Sequence, residues 1–139
     1  MRRGLVLPLL TTVWFLVLVA VVQGRRARKV VLAVDGGTES IRAACFDATG
    51  HMVGCVGSAP YETHHPHPGW AEQHPESWWQ SLKVAVRNVL DSLVNEDEDD
   101  YEVCGMCIDT TCCSVVALDS DKHPVKPCIL WMDQRSAPQ

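Results

Sequence analysis

One short segment, DGGTESIR at residues 35–42, combines residue types that handle phosphate. The candidate residues are Asp35, Gly36, Gly37, Thr38, Ser40 and Arg42. The glycines allow a positive φ and let a phosphate approach the backbone closely. The two hydroxyls supply hydrogen-bond donors, and the planar arginine cation contacts a transferred phosphoryl group. Asp35, at a strand end, is predicted to hold Mg²⁺ between nucleotide phosphates.

The same segment also fits an ordinary hairpin turn, since Asp-Gly-Gly is common in such turns. It is not a Walker A loop, because no Gly-Lys-Ser/Thr follows. Taken alone, the segment therefore leaves a phosphate site and a structural turn both open.

Two later segments carry polar residues that suit the recognition of a polyol. In DTTC, Asp109, Thr110 and Thr111 follow an apolar strand, at the position where ligands bind in open α/β sheets. A carboxylate and hydroxyls supply the oriented hydrogen bonds that a polyol requires. In WMDQR, Asp133 and Arg135 are further candidates. The alternatives are a turn initiated by Asp109 with a threonine cap, and an Asp133–Arg135 pair that only shapes the pocket wall.

The elements that must position these residues follow one another as strand, strand, strand, helix and strand. KVVLAVD, SIRAACFD and HMVGCVGSAPY are predicted strands, and the Pro- and His-rich segment after them is a loop. Pro75 and Glu76 open a helix. Its apolar face is formed by Trp78, Leu82, Ala85, Val86, Val89 and Leu93. YEVCGMCID, SVVALDSD and PCILWMD are predicted as further strands.

This order opens the ribonuclease-H-like, actin-type ATPase fold, an α/β architecture. In that fold the first two strands form a hairpin whose turn faces the cleft, so that backbone N–H groups can point at phosphate oxygens. The sequence therefore predicts a partial domain of this class, preceded by a hydrophobic N-terminal helix.

Composition excludes some functions. The chain has 139 residues and a formal net charge of −5, which argues against nucleic acid as a partner. Its seven cysteines are an odd number, and we expect most of them to be buried free thiols in a reducing compartment. A zinc cluster is disfavoured because Cys112 and Cys113 would point to opposite faces of an extended strand. The loop histidines are expected at the surface: His64, His65, His67 and His74.

The N-terminal residues 1–29 form a hydrophobic segment with basic flanks. An apolar stretch at residues 5–22 is borderline in length for a membrane span, which needs about 20 residues. The four basic residues that follow predict an anchor whose C-terminal side faces the cytosol. A cleaved secretory signal is one alternative. A mis-assigned start, which would leave a soluble cytoplasmic domain, is another.

Four ordered blocks give the region from residue 30 onwards a family resemblance. They are LAVDGGTESIRAACFD, PGWAEQHPESWW, CIDTTCCSVVALD and PCILWMDQRS. In this order and spacing they resemble the N-terminal domain of the FGGY carbohydrate kinases, placed here at residues 30–139. DTTC followed by WMD-R is closest to the pentulose kinases of ribulokinase or xylulokinase type. The Arg-Glu pair of glycerol kinases and the Gln-Met-His of xylulokinases are absent, which leaves the sugar open.

The resemblance implies transfer of the ATP γ-phosphate to a hydroxyl of a ketopentose, with ATP and Mg²⁺ as cofactors. Asp35, Gly37, Thr38 and Arg42 match the phosphate hairpin of the family. The blocks at residues 109–111 and 131–135 match the sugar pocket and its wall.

The resemblance also implies what the sequence lacks. The catalytic Asp that serves as general base and most of the nucleotide site come later in the family's chains. We therefore expect this chain to be a truncated, N-terminal part of a kinase that is inactive alone. A non-catalytic sugar- or phosphate-binding module tethered to a membrane is the alternative. An actin-like or chaperone-type ATPase fragment is disfavoured, because such proteins lack the PGWAEQ and DTTC blocks.

Overall fold

A computed structural model describes residues 27–95 and 100–137. Six strands and one long helix follow one another along these residues. They are β1 (Arg28–Gly36), β2 (Ser40–Asp47), β3 (Met52–Pro60), β4 (Glu72–Gln73), α1 (Pro75–Asn95), β5 (Tyr101–Thr110) and β6 (Cys128–Ile129). The predicted order of three strands, helix and strand is confirmed, with the two-residue strand β4 inserted before the helix.

The main sheet has the strand order β3-β2-β1-β5. Strands β1 and β2 pair antiparallel across the short turn at residues 37–39, and β3 extends the sheet beyond β2. Strand β5 pairs parallel with β1, so that Gly36 lies beside Thr110 and Asp35 beside Asp109. The ends of β1 and β5 therefore carry both predicted site segments to the same edge of the sheet.

Helix α1 covers one face of the sheet and forms the main core with it. Alternate residues of β1, β2 and β3 point to this face, as the period of a strand requires. The core residues are Val30, Leu32, Val34, Ile41, Ala43, Cys45, Val53, Ala59, Ala85, Val89 and Leu93. The predicted apolar face of the helix is confirmed: Ala85, Val89 and Leu93 are buried, and Trp78, Leu82 and Val86 pack beside them.

Gly57 sets how closely the helix approaches β3. A Cβ at this position would lie 2.0 Å from the carbonyl oxygen of Ala85. No side chain fits at that distance, so the backbones of β3 and α1 are in direct contact because residue 57 is glycine.

Strand β5 is exposed along nearly its whole length, including Val103, Met106 and Ile108. This exposure corrects the prediction that most thiols are buried. Only Cys45 and Cys128 are buried, whereas the other five are exposed, two of them on β5. Among residues 27–95 and 100–137 no layer covers this edge strand, so side chains on both of its faces are accessible, which the apolar character of the segment does not reveal.

The segment after β5 departs from the predicted strands. SVVALDSD contributes only isolated bridges, from Val115 to Ile129 and from Leu118 to Pro124. PCILWMD contributes the two-residue β6, which pairs antiparallel with β4. Reverse turns interrupt both segments, so the apolar runs pack as a small second cluster of Ala71, Cys128 and Leu130.

Within residues 27–95 and 100–137, no helix has the length and apolar character needed to cross a bilayer. The predicted anchor at residues 5–22 lies outside the described residues.

Candidate active site

The turn between β1 and β2 is closed by its own backbone. The N–H of Gly37 donates to the carbonyl oxygen of Ser40 at 3.0 Å. Gly36 and Gly37 are not among the glycines with positive φ, so the left-handed conformation that glycine allows is not adopted here. A chain reversal over residues 37–40 needs no positive φ at either glycine. Their contribution is a backbone without a Cβ: one added at Gly36 would lie 3.1 Å from the Thr110 methyl group.

The tip of the turn presents two backbone donors. Among the described residues, no acceptor is recorded for the amides of Thr38 and Glu39. The hydroxyl of Thr38 accepts a long hydrogen bond of 3.4 Å from the indole N–H of Trp131. Successive N–H groups at a turn form a concave site for an anion. This tip is therefore the part of the hairpin suited to a phosphate group.

Two residues that sequence reasoning missed stabilise the turn by hydrogen bonds to its carbonyl groups. Gln73, which is 2% exposed, donates from Nε2 to the carbonyl of Thr38 at 2.7 Å. The hydroxyl of Tyr61 donates to the carbonyls of Gly37 and Ser40. Burial, with a smaller contribution from the charge of Asp35, raises the pKa of Tyr61, so its hydroxyl keeps its proton at neutral pH. The only sequence signal was the position of Gln73 within the PGWAEQ block.

Asp35, Arg42 and Asp109 lie together on the sheet face opposite α1. Arg42 Nη2 is 2.6 Å from Asp35 Oδ2, and both side chains are about half exposed. An exposed pair of this kind contributes only about 0.2–1 kcal/mol to stability. Asp35 and Asp109 are direct neighbours in the register of β1 and β5, so two carboxylates stand side by side next to one guanidinium.

This donor set fits a magnesium ion that is bound mainly by nucleotide phosphates. Mg²⁺ typically takes one or two protein carboxylates and completes its octahedron with phosphates and water. Among residues 27–95 and 100–137, no cluster of three or more His, Cys, Asp or Glu forms a self-contained metal site. When bound, the ion would neutralise charge on the phosphates, and Asp35 and Asp109 are the residues that would hold it.

A cavity of about 230 Å³ lies on the other face, between the turn, β5 and α1. It is lined by Gly36, Gly37, Ile41, Tyr61, Gln73, Trp78, Thr110, Thr111 and Ser114. It is smaller than the roughly 300–1,000 Å³ of drug-sized ligand sites, which suits a small polyol. None of these described lining residues carries a carboxylate or an imidazole.

Ser114 is a third residue that sequence reasoning missed. Its Oγ is a buried side-chain polar atom without a hydrogen-bond partner in the described part of the chain. An unpaired buried hydroxyl costs about 1–3 kcal/mol. A ligand hydroxyl in the adjoining cavity could supply the missing partner.

The structure separates the predicted trio Asp109, Thr110 and Thr111. Asp109 faces Asp35 and Arg42, whereas Thr110 and Thr111 line the cavity. The alternation of side chains along β5 explains the separation, because adjacent residues point to opposite faces. The carboxylate thus lies on the side of the phosphate hairpin and the hydroxyls on the side of the cavity.

Asp133 and Arg135 lie outside the cavity lining, in a cluster with Glu72 and Trp70. Arg135 Nη2 is 2.7 Å from Asp133 Oδ2 and 2.8 Å from Glu72 Oε1, and the guanidinium stacks 3.8 Å from the centre of the Trp70 ring. Asp133 also accepts a hydrogen bond from the backbone N–H of Ala71 at 2.7 Å.

The Asp133 side chain is 2% exposed. Hydrogen bonds from Arg135 hold its pKa well below the usual range, and Asp133 in turn raises the pKa of Arg135. This geometry supports the interpretation that the pair joins the PGWAEQ loop to the C-terminal segment.

Comparison with known proteins agrees with this geometry. The sequence model of one protein family, the N-terminal domain of the FGGY family of carbohydrate kinases, matches residues 30–139. A xylulose kinase from Lactococcus lactis is 36% identical over 110 residues, which are 78% of this chain and 21% of that protein. A glycerol kinase from Thermococcus gammatolerans is 29% identical over 107 residues, which are 77% of this chain and 21% of that protein.

Solved structures of this family share the fold. The crystal structure of xylulose kinase from Rhodospirillum rubrum superposes with a TM-score of 0.70 at 30% identity, over 76% of this chain and 21% of that one. The crystal structure of Plasmodium falciparum glycerol kinase superposes with a TM-score of 0.73 at 19% identity, over 81% of this chain and 22% of that one. At this identity the likeness is evidence for a shared fold only. The predicted actin-type ATPase fold is thereby confirmed.

The chain spans about a fifth of the length of the relatives it matches. Over that part, the fold and the matched sequence agree. The chain belongs to the FGGY family of carbohydrate kinases, through the N-terminal domain of that family.

Proposed function

We propose that this chain provides the phosphate hairpin and the alcohol-binding cavity of an ATP-dependent kinase that phosphorylates a ketopentose. The observation that carries the proposal is the cavity of about 230 Å³ at the shared end of β1 and β5. There the hydroxyls of Thr110, Thr111 and Ser114 adjoin the turn whose tip presents backbone donors. The relatives include both xylulose kinases and glycerol kinases. The choice of a ketopentose therefore rests on the resemblance of the DTTC and WMD-R segments to the pentulose kinases.

The two faces of the β1–β5 edge have different roles in this proposal. On one face Asp35 and Asp109 hold Mg²⁺, and the tip of the turn together with Arg42 binds phosphate oxygens. On the other face the hydroxyl residues bind the sugar. The two faces meet at the turn of residues 36–38, so the sugar hydroxyl and the phosphoryl group would have to come into direct contact, about 3–3.5 Å apart, at this edge of the sheet.

The sugar cavity can be tested with this chain by NMR titration with D-xylulose. We expect shifts at the amides of Thr110, Thr111 and Ser114, and about tenfold weaker binding in Thr110→Val, which keeps the shape but removes a hydroxyl. Glycerol serves as the comparison ligand. Unchanged affinity in Thr110→Val, or equal binding of both alcohols, would contradict the proposed cavity or its specificity.

The Ser114→Ala variant distinguishes a ligand contact from a structural role, because the two predict opposite changes in the free energy of unfolding. Removing an unpaired buried hydroxyl leaves stability unchanged or raises it by up to about 1 kcal/mol, whereas a structural hydroxyl would destabilise when removed. The same variant is expected to bind D-xylulose more weakly. A fall in stability with unchanged affinity would show that Ser114 supports the fold alone.

The magnesium and phosphate face has its own test. Mn²⁺ with ATP is a paramagnetic substitute that broadens nearby NMR signals, and we expect the strongest broadening at Asp35, Thr38 and Asp109. Asp35→Asn removes one of the two carboxylate charges and should strongly weaken the broadening, whereas Asp91→Asn, on α1, should not. Undiminished broadening in Asp35→Asn would refute the assignment.

We further propose that these 139 residues alone do not catalyse phosphorylation of the sugar. General-base catalysis needs a group within hydrogen-bond reach of the reacting hydroxyl, and the described cavity lining offers no carboxylate or imidazole. A coupled ADP-release assay with D-xylulose and ATP should show no rate above that without protein. This same observation favours the second candidate, a non-catalytic sugar- or phosphate-binding module. Measurable turnover would refute both statements.

The domain boundary and location complete the proposal. We place the kinase domain at residues 30–139, facing the cytosol, with residues 5–22 in contact with a membrane. Mass spectrometry of the natural protein tests this directly: peptides from before Arg25 in the membrane fraction support the anchor. Their absence would favour a cleaved signal or a different start.

A further inference from the structure

Two adjacent thiols, Cys112 and Cys113, lie side by side in the loop after β5. Their sulfur atoms are 3.8 Å apart, and both residues are exposed. An extended chain would point them to opposite faces. Cys113 instead has a φ of 62°, a left-handed conformation that non-glycine residues rarely adopt, and this backbone turn brings the two sulfurs together.

The pair lies between two residues that line the candidate sugar cavity. Thr111 precedes it and Ser114 follows it, and both line the cavity. The N–H of Thr111 donates to the carbonyl of Gly36 at 3.0 Å, which ties this loop to the end of β1. A change in the loop conformation at the two cysteines is therefore transmitted to both neighbours.

Two of the three other exposed thiols have different surroundings. Cys104 is 3.4 Å from the carbonyl oxygen of Val30, and Cys55 is 3.7 Å from that of Asn88. Each of these thiols contacts a backbone carbonyl, whereas the recorded sulfur partner of Cys113 is the sulfur of Cys112.

We propose that Cys112 and Cys113 form a redox-active dithiol, a modification site that closes to a disulfide by exchange with a small-molecule disulfide of the glutathione class. One thiolate attacks a sulfur of the small disulfide, forms a mixed disulfide and releases one thiolate. The second cysteine, as thiolate, attacks the protein sulfur of the mixed disulfide and releases the other. The protein loses two hydrogens as protons and two electrons, and the small disulfide is reduced to two thiols.

The geometry of adjacent residues makes the bridge reversible. The Cα atoms of adjacent residues are about 3.8 Å apart across a trans peptide, below the usual range of about 4.4–6.8 Å for disulfides. Such a bond is strained and easily reduced, as regulatory disulfides are. In addition, the hydrogen bond and charge of Cys112 raise the pKa of Cys113, so closure should become faster as the pH rises towards and above the usual thiol range.

The test is made in a background in which the three other exposed thiols are replaced, Cys55→Ala, Cys104→Ala and Cys107→Ala. With excess oxidised glutathione we expect a mass loss of about 2 Da and no retained adduct, because the second thiol displaces the glutathione. Adding Cys113→Ala or Cys112→Ala should instead trap one glutathione on the remaining sulfur. Tandem mass spectrometry places the bridge between residues 112 and 113.

The buried Cys45 and Cys128 are internal controls, since they should be alkylated only after unfolding. Retained glutathione on both Cys112 and Cys113, or no reaction at either, would overturn the proposal. A second readout is hydrogen exchange at the Thr111 amide, which should change on closure and recover with a reducing dithiol. Neither readout depends on kinase activity, so this proposal and the proposed function can fail separately.

Discussion

Gln73 connects the candidate phosphate turn to helix α1, and its replacement by leucine tests that connection. Its amide donates to the Thr38 carbonyl and to the Thr63 hydroxyl at 2.7 Å each, and accepts from the Trp78 indole at 2.8 Å. Leucine keeps most of the volume but removes all three hydrogen bonds. At about 1 kcal/mol net for each, the free energy of unfolding should fall by about 3 kcal/mol. The loss is a large fraction of the roughly 5–15 kcal/mol of a typical domain.

Urea unfolding followed by tryptophan fluorescence measures this change. With an m-value of about 1–2 kcal/mol/M, the midpoint should shift down by about 2 M without a change in slope. Gln80→Leu is the matched control, because Gln80 is an exposed residue of α1 and its replacement should cost less than about 0.5 kcal/mol. A Gln73→Leu variant within 0.5 kcal/mol of the wild type would refute the view that this side chain holds the turn.

Two further predictions concern the fold around the site. Gly57→Ala should destabilise by about 1–3 kcal/mol or more, since its Cβ would meet the Ala85 carbonyl at 2.0 Å, whereas Gly105→Ala, with open space around it, should be close to neutral in the same assay. Asp133→Asn should lower the melting temperature at neutral pH, and the gap to the wild type should narrow as the pH falls below about 4, because Arg135 stabilises only the ionised carboxylate. A gap that does not depend on pH would contradict the second prediction.

Local sequence patterns were sufficient for much of the fold. The β1–β2 hairpin, the start of α1 at Pro75 and the buried face of the helix follow from apolar periodicity and helix-start signals. The register of the paired strands places Asp35 beside Arg42 and Thr110 beside Gly36.

Other features depend on tertiary context that no local pattern contains. The support of the turn by Gln73 and Tyr61 comes from distant parts of the chain, and an orphan hydroxyl such as that of Ser114 is visible only when its surroundings are known. The exposure of the β5 cysteines depends on what covers that strand, not on its composition. By contrast, the separation of Asp109 from Thr110 was predictable from strand alternation.

The parallel pairing of β1 with β5 has a consequence for the kinetics of folding. Strand β1 meets β2 across a short turn, but Arg28 pairs with Tyr101, about seventy residues later. Closing so long a loop is entropically unfavourable and slow compared with hairpin formation. At a synthesis rate of about 5–20 residues per second, β5 leaves the ribosome roughly 4–14 s after β1. During that interval the edge of β1 that later pairs with β5 carries unpaired backbone N–H and C=O groups, which favours association with other exposed strands.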